Sequence, residues 1–262
     1  MRTTLSTWSQ ALGSVSGALA SVIFPSDCRI CESLLTTASR LPICHDCLAS
    51  FRQNPLESCD VCGVPWGVPG ESDEEFAICP ECREQKFGFE RARSYGQYEG
   101  ALARAILLLK YEHIEPLGRW FADRLLEVVR SDEKRLSGDI VVPVPLHRQR
   151  KKERGYNQVE LFARPLAKRL GVPYRPVLLM RTRPRPEKHL LDYEERWESV
   201  RGAFALKPGG RVDNSRVLLL DDVMTTGATL DACSRALADA GASSVIALTV
   251  ARAVRPASPA GR

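Results

Sequence analysis

Two adjacent carboxylates, Asp221 and Asp222, stand between an apolar run and a loop of small hydroxyl-bearing residues in Val217–Leu230, VLLLDDVMTTGATL. Ionised Asp only accepts hydrogen bonds, so the pair suits sugar hydroxyls or a hydrated divalent metal. Val223 leads into Thr225, Thr226, Gly227, Ala228 and Thr229, a turn that opens a helix expected over about Leu230 to Ala240. The unpaired N–H groups of a helix N-terminus, with roughly half a positive charge from the helix dipole, form an anion site. Phosphate therefore belongs in the turn. The run Val217–Leu220 has the length and two-sided hydrophobicity of a buried parallel strand, which puts the carboxylates at its carboxyl end, where open α/β sheets hold their ligands.

The string is not a nucleotide P-loop, because GxxxxGK[ST] is absent and no lysine follows the glycine. A receiver domain carries its acidic pair near the start of the domain, whereas only 40 residues follow Asp222. A solvated strand-to-helix turn is the bland alternative. The motif resembles the phosphoribosyl-pyrophosphate (PRPP) motif of type I phosphoribosyltransferases. That resemblance implies an acidic pair on the ribose 2′ and 3′ hydroxyls and a loop wrapped around the 5-phosphate.

Eight of the nine cysteines form CxxC pairs: Cys28/Cys31, Cys44/Cys47, Cys59/Cys62 and Cys79/Cys82. Two such knuckles supply the four thiolates of one tetrahedral zinc, so the spacing argues for two structural Zn2+ ions and a reducing compartment. Successive four-cysteine sites are the simplest pairing; a cross-braced arrangement, first pair with third and second with fourth, is the alternative. A redox role is weaker, since four copies exceed one active site and none follows a thioredoxin-like βαβ unit. Four-thiolate sites leave no open coordination position, which favours structure over catalysis. The loop-rich segment from Pro25 to Phe89 needs a metal to fold. His45 reads as a surface residue and Cys233 as core.

A chain of 262 residues that is 44% hydrophobic can bury a core for one domain and a smaller appendage. Its net charge of +5 permits polyanionic partners without requiring them. No apolar stretch reaches the length of about 18 residues needed to cross a bilayer, so membrane insertion is not expected. Within Met1–Phe24, Trp8, Leu12, Val15, Leu19, Val22 and Ile23 fall at helical spacing, which predicts an amphipathic helix over 1–24 in preference to a signal peptide. A zinc-binding module follows over 25–90, then an α/β domain over 91–254 and a disordered tail over 255–262. In the α/β domain, strands are expected at Arg93–Tyr98, Ile140–Val144, Val217–Asp221 and Ser244–Ala251. Helices are expected at Ala101–Tyr111, Pro116–Arg130 and Gln158–Leu170, the last kinked at Pro165. Arg130–Gly138 reads as a charged connector. Alternation of this kind predicts a mostly parallel sheet flanked by helices.

The second strand runs into Arg148, Arg150, Lys151, Lys152 and Arg154, then Gly155-Tyr156-Asn157-Gln158. A charge run is usually a solvated loop, but a loop here leaves the same carboxyl edge as Asp221 and can close on a polyphosphate. Arg and Lys there would neutralise a departing pyrophosphate.

The order of these features resembles the ComF family of competence protein F-like proteins, which carry a zinc finger before a phosphoribosyltransferase domain. The matching residues are the CxxC knuckles, VPVPLHxxRxxxRGYNQ from Val142 to Gln158, ER…RGAF from Glu195 to Phe204, and the DDVMTTGAT loop. The resemblance implies a type I phosphoribosyltransferase fold and a cytoplasmic glycosyltransferase binding PRPP with Mg2+ at Asp221, Asp222 and Val223–Thr229. It implies that Arg148, Arg154, Tyr156, Asn157 and Gln158 form a basic motif, with Arg154 joining the acidic pair in catalysis. It also implies natural competence, single-stranded DNA as a partner, and contacts with competence-machinery proteins. Lys188 and Ser199 stand where typical members have Gln and Asn, which bears on the acceptor. Two other readings stay open. One is a non-catalytic single-stranded nucleic-acid module with a vestigial or sensory PRPP site, using Arg181, Arg183, Arg185 and Lys188 with Tyr156 and Tyr193 for stacking. The other is a nucleotide-salvage phosphoribosyltransferase, which needs an aromatic hood that the sequence does not reveal.

Overall fold

Strands buried on both faces select a parallel sheet, and this chain builds one. The computed structural model describes residues 26–35, 40–55, 58–65, 78–184 and 193–254. In chain order the elements are α1 (His45–Ala49), α2 (Pro80–Glu84), β1 (Arg91–Gln97), α3 (Gly100–Glu112), α4 (Glu115–Ser131), α5 (Glu133–Leu136) and β2 (Ile140–Pro143). There follow α6 (Arg148–Arg154), α7 (Glu160–Leu170), β3 (Leu179–Arg181), α8 (Tyr193–Glu198), β4 (Phe204–Leu206), β5 (Arg216–Met224), α9 (Ala228–Asp239) and β6 (Ser244–Arg252). The expected amphipathic helix over 1–24 and the tail over 255–262 lie outside the described residues.

The main sheet has the order β1-β6-β5-β2 with every pairing parallel. Alternate residues of the central strands feed opposite cores. Leu218, Leu220, Ile246 and Leu248 join Leu102, Phe121 and Phe162 from α3, α4 and α7. Val217, Leu219, Val245 and Ala247 join Leu230 and Leu237 of α9 and Phe204 of the antiparallel β3–β4 pair. That pair is absent from the sequence-based expectation, because three-residue strands are too short to show a period.

Helix α7 carries a motif residue just before its start, so its placement matters. Pro165 lies inside it, and a proline cannot donate to the carbonyl four residues back, here that of Leu161. That carbonyl faces α4 at Gly118, where a Cβ would lie 2.8 Å from it and 2.7 Å from the Leu161 Cβ. Only glycine admits this approach.

The cysteine-rich segment covers the exposed edge of β1, where unpaired N–H and C=O groups would otherwise face solvent. Ala92 N donates to Val61 O at 2.6 Å, Asn54 N to Tyr95 O at 3.0 Å and Gln97 N to Arg52 O at 2.8 Å. The Asp60 carboxylate accepts from Arg91 and Arg93 of the same strand.

Candidate functional site

Strand β5 continues through the acidic pair to Met224 instead of ending at Asp221, and side chains alternate along a strand. The two carboxylates are therefore split between walls. Asp221 is partly exposed and lines a cavity with the following turn; Asp222 is 7% exposed and faces α3 and α7. The Asp222 N–H donates to Asp221 Oδ1 at 2.8 Å, which fixes the nearer carboxylate.

The turn opens directly into a helix. Gly227 has φ +85° and caps α9, which begins at Ala228, two residues before the expected start. Ala228 N donates to Thr226 Oγ1 at 3.3 Å. Val223, Thr225, Thr226, Gly227, Ala228 and Thr229 all line the cavity. Arg181 from β3, Arg196 from α8 and Ser199 complete its wall. Ser199 Oγ donates to Arg196 O at 2.8 Å, so its hydroxyl is engaged with the preceding turn.

The opposite wall gathers around Asp222. Gln158 Nε2 donates to Asp222 Oδ2 at 2.7 Å, Arg154 Nη1 donates to Gln158 Oε1, and Lys110 Nζ lies 3.8 Å from Asp222 Oδ2. The Arg154 guanidinium sits 5.2 Å from the centroid of the Tyr111 ring, which is 66% exposed. Burial raises the Tyr98 hydroxyl pKa, and the nearby Asp222 charge raises it further, so this phenol stays protonated. The wall offers fixed cations and donors beside one carboxylate.

The basic run forms helix α6 instead of a loop. Arg, Gln, Lys and Glu are strong helix formers when packing does not decide, His147 Nδ1 accepts from Gln149 N at 3.4 Å, and Gly155 at φ +81° closes the C-terminus. Arg148, Arg150, Lys151 and Lys152 are exposed there, with Lys151 Nζ 3.0 Å from Glu160 Oε1. The rest of the motif divides. Asn157 is 3% exposed; its Nδ2 donates to Val144 O and its Oδ1 accepts from Val159 N, so it holds the chain turn internally. The Tyr156 hydroxyl donates to Leu109 O at 2.8 Å and accepts from His113 N at 2.9 Å, pinning α3. The structure thus brings Arg154, Gln158 and Asp222 together and leaves Arg148 on the outer surface. Lys188 and Arg185 lie outside the described residues.

Behind the turn, Arg252 at the end of β6 is 4% exposed and donates from Nη1 to the Thr225 carbonyl. Cys233 is fully buried on α9, and burial keeps its thiol protonated, in keeping with a core role.

The eight paired cysteines gather into two clusters in chain order, Cys28, Cys31, Cys44 and Cys47, then Cys59, Cys62, Cys79 and Cys82, each with its sulfurs within 4.8 Å of one another. This is the successive arrangement, not the cross-braced one. A tetrahedral zinc with Zn–S bonds of about 2.3 Å spaces its sulfurs about 3.8 Å apart. The Cys28–Cys47, Cys31–Cys44 and Cys62–Cys79 sulfur separations are 3.8, 3.6 and 3.7 Å. Both clusters fit the ion.

Sequence reasoning missed Lys110, Tyr111, Arg196 and Arg252. A lysine closing the apolar run of α3 and an arginine closing the buried strand β6 at the ligand edge were the legible signals for two of them. Tyr111 and Arg196 have none, because their place depends on how α3 and α8 dock.

The family model for the phosphoribosyl transferase domain matches residues 160–260. The DNA utilization protein YhgH of Salmonella typhi is 29% identical over 225 residues, covering 84% of this chain and 94% of that protein. Competence protein F of Haemophilus influenzae is 28% identical, covering 80% of this chain and 90% of that protein. Competence protein ComFC of Bacillus subtilis is 25% identical, covering 80% and 84%.

Proposed function

We propose, on the premise that this chain belongs to the ComF family with its zinc-binding module and phosphoribosyltransferase domain, that it binds PRPP with Mg2+ at the carboxyl end of β5 and acts in competence. The observation that carries this reading is the Thr225–Thr229 turn at the start of α9, with Asp221 in the same cavity. A 5-phosphate seats on the turn's N–H groups, and the ribose hydroxyls reach Asp221 and Asp222.

Breaking the C1–pyrophosphate bond develops positive charge on the sugar and negative charge on the leaving group. Arg154 and Lys110 hold cationic charge beside Asp222, where it meets the departing pyrophosphate. Gln158 keeps the buried Asp222 carboxylate oriented. Asp221 and Asp222 would hold the magnesium that accompanies PRPP, since carboxylate oxygens are its usual protein ligands, and the ion supplies charge neutralisation of the pyrophosphate. The two cysteine clusters bind structural zinc, and the protein works in the cytoplasm on incoming single-stranded DNA.

A second reading, a nucleic-acid module whose PRPP site is a sensor, draws on the exposed cations of α6 and the exposed Tyr111 ring flanked by Arg154. One experiment tests both. Calorimetry with PRPP and Mg2+ is followed by pyrophosphate release with and without single-stranded DNA. Turnover supports a transferase, and binding without release supports the sensor. No PRPP binding at all would remove the leading reading.

A further inference from the structure

We propose that the second four-cysteine cluster, Cys59, Cys62, Cys79 and Cys82, is the element that positions the phosphate turn, with Phe87 as the connecting residue. The inference rests on the phosphate seat proposed above and adds what holds it in shape.

The contacts of the segment that follows Cys82 carry it. The chain leaving Cys82 brings the Phe87 ring onto Gly227, where a Cβ would stand 3.0 Å from Phe87 Cε1. Phe87 stacks on Phe89 at 4.6 Å between centroids and meets Trp197 of α8 at 5.9 Å, so one ring touches both the turn and the helix that carries Arg196. The same segment is clamped to the first turns of α9: Gly88 N donates to Asp231 Oδ1 at 2.6 Å, and Arg235 donates to Asp231 Oδ2 at 2.8 Å and to Lys86 O at 2.6 Å. Beneath the turn, Arg252 Nη1 donates to the Thr225 carbonyl.

Cys59, Cys62 and Cys79 also share one apolar cluster with Met224, Ala228 and Leu230. The first cysteine cluster has no part in this. It packs on the other face, where Cys28 and Cys47 join the α3 core and Arg104 Nη1 donates to Ile30 O at 2.7 Å. An anion seat made of backbone N–H groups depends on their alignment before the ligand arrives, because ordering them on binding weakens affinity. Metal at the second cluster therefore supports phosphate affinity, and metal at the first does not.

The test compares wild-type protein with Phe87→Ala, Phe87→Leu and Phe51→Ala, measuring zinc content, PRPP affinity by calorimetry with Mg2+, and amide hydrogen exchange across Thr225–Leu230. Phe87→Ala is expected to retain two zinc ions, to lose affinity on the order of tenfold and to exchange faster in the turn, with Phe87→Leu recovering part of the loss. Phe51→Ala leaves both readouts at the wild-type level. Unchanged affinity and exchange in Phe87→Ala, or equal losses in Phe51→Ala, would overturn the proposal. A Phe87→Ala protein that does not fold is replaced by Arg235→Ala, which releases Lys86 O from α9, under the same criteria. Should wild-type protein bind no PRPP, the phosphate reading fails by itself, and exchange still decides the coupling. Cys79→Ser must then loosen the turn more than Cys44→Ser does, and equal or absent effects overturn it.

Discussion

Gln158 Nε2 donates to Asp222 Oδ2 at 2.7 Å, a bond that ties the residue ahead of α7 to the end of β5 across 64 positions of sequence. It makes the orientation of a buried carboxylate depend on a neutral amide. The amide in turn accepts from Arg154, so the cation acts on Asp222 through Gln158.

Gln158→Leu removes the donor and leaves Asp222 with Lys110 as its nearest cation. Losing a hydrogen bond to a charged group costs about 1.5–3 kcal/mol, so PRPP affinity is expected to fall roughly tenfold to a hundredfold. Calorimetry measures this, and a urea titration separates it from lost stability. Affinity at the wild-type level would show that Gln158 does not orient the site.

The two carboxylates should respond differently, because one is exposed to the cavity and the other is built into the wall. Asp221→Asn is expected to weaken magnesium-dependent PRPP binding with little change in stability. Asp222→Asn, which removes the charge facing Lys110, is expected to lower both by about 1–3 kcal/mol. Equal thermal midpoints for the two variants would contradict the asymmetry.

Two zinc ions per chain are expected by elemental analysis. Cys59, Cys62 and Cys79 lie in the same core cluster as β5 and β6, so Cys79→Ser should destabilise the sheet and not the knuckle alone. Acidification should release the metal as the thiolates protonate. A Cys79→Ser protein with one zinc and an unaltered sheet unfolding transition would show the module to be energetically separate.

Arg150, Lys151 and Lys152 lie on the exposed helix α6, away from the Gln158–Asp222 contact. Changing all three to Ala should flatten the salt dependence of single-stranded DNA binding by about two units, at about 0.7 per phosphate neutralised. PRPP affinity should change little. The reverse pattern, with PRPP binding crippled and the slope intact, would assign α6 to pyrophosphate.

The sequence by itself determined the strand–turn–helix at Asp221–Thr229, the parallel sheet and the eight thiols. Each is written in local terms: an apolar run, a glycine in a turn, a fixed spacing of ligand residues. Helix α6 was less legible, because a run of like charges signals solvent exposure without distinguishing helix from loop.

Tertiary structure alone decided how these parts meet. The extension of β5 past Asp221 turned the acidic pair to opposite walls, since a side chain's face depends on where pairing with β6 ends. The docking of α3 and α7 brought Lys110, Arg154 and Gln158 to Asp222, and the fold of the second knuckle brought Phe87 to Gly227. Such contacts join residues far apart in the chain, and sequence periodicity carries no information at that range.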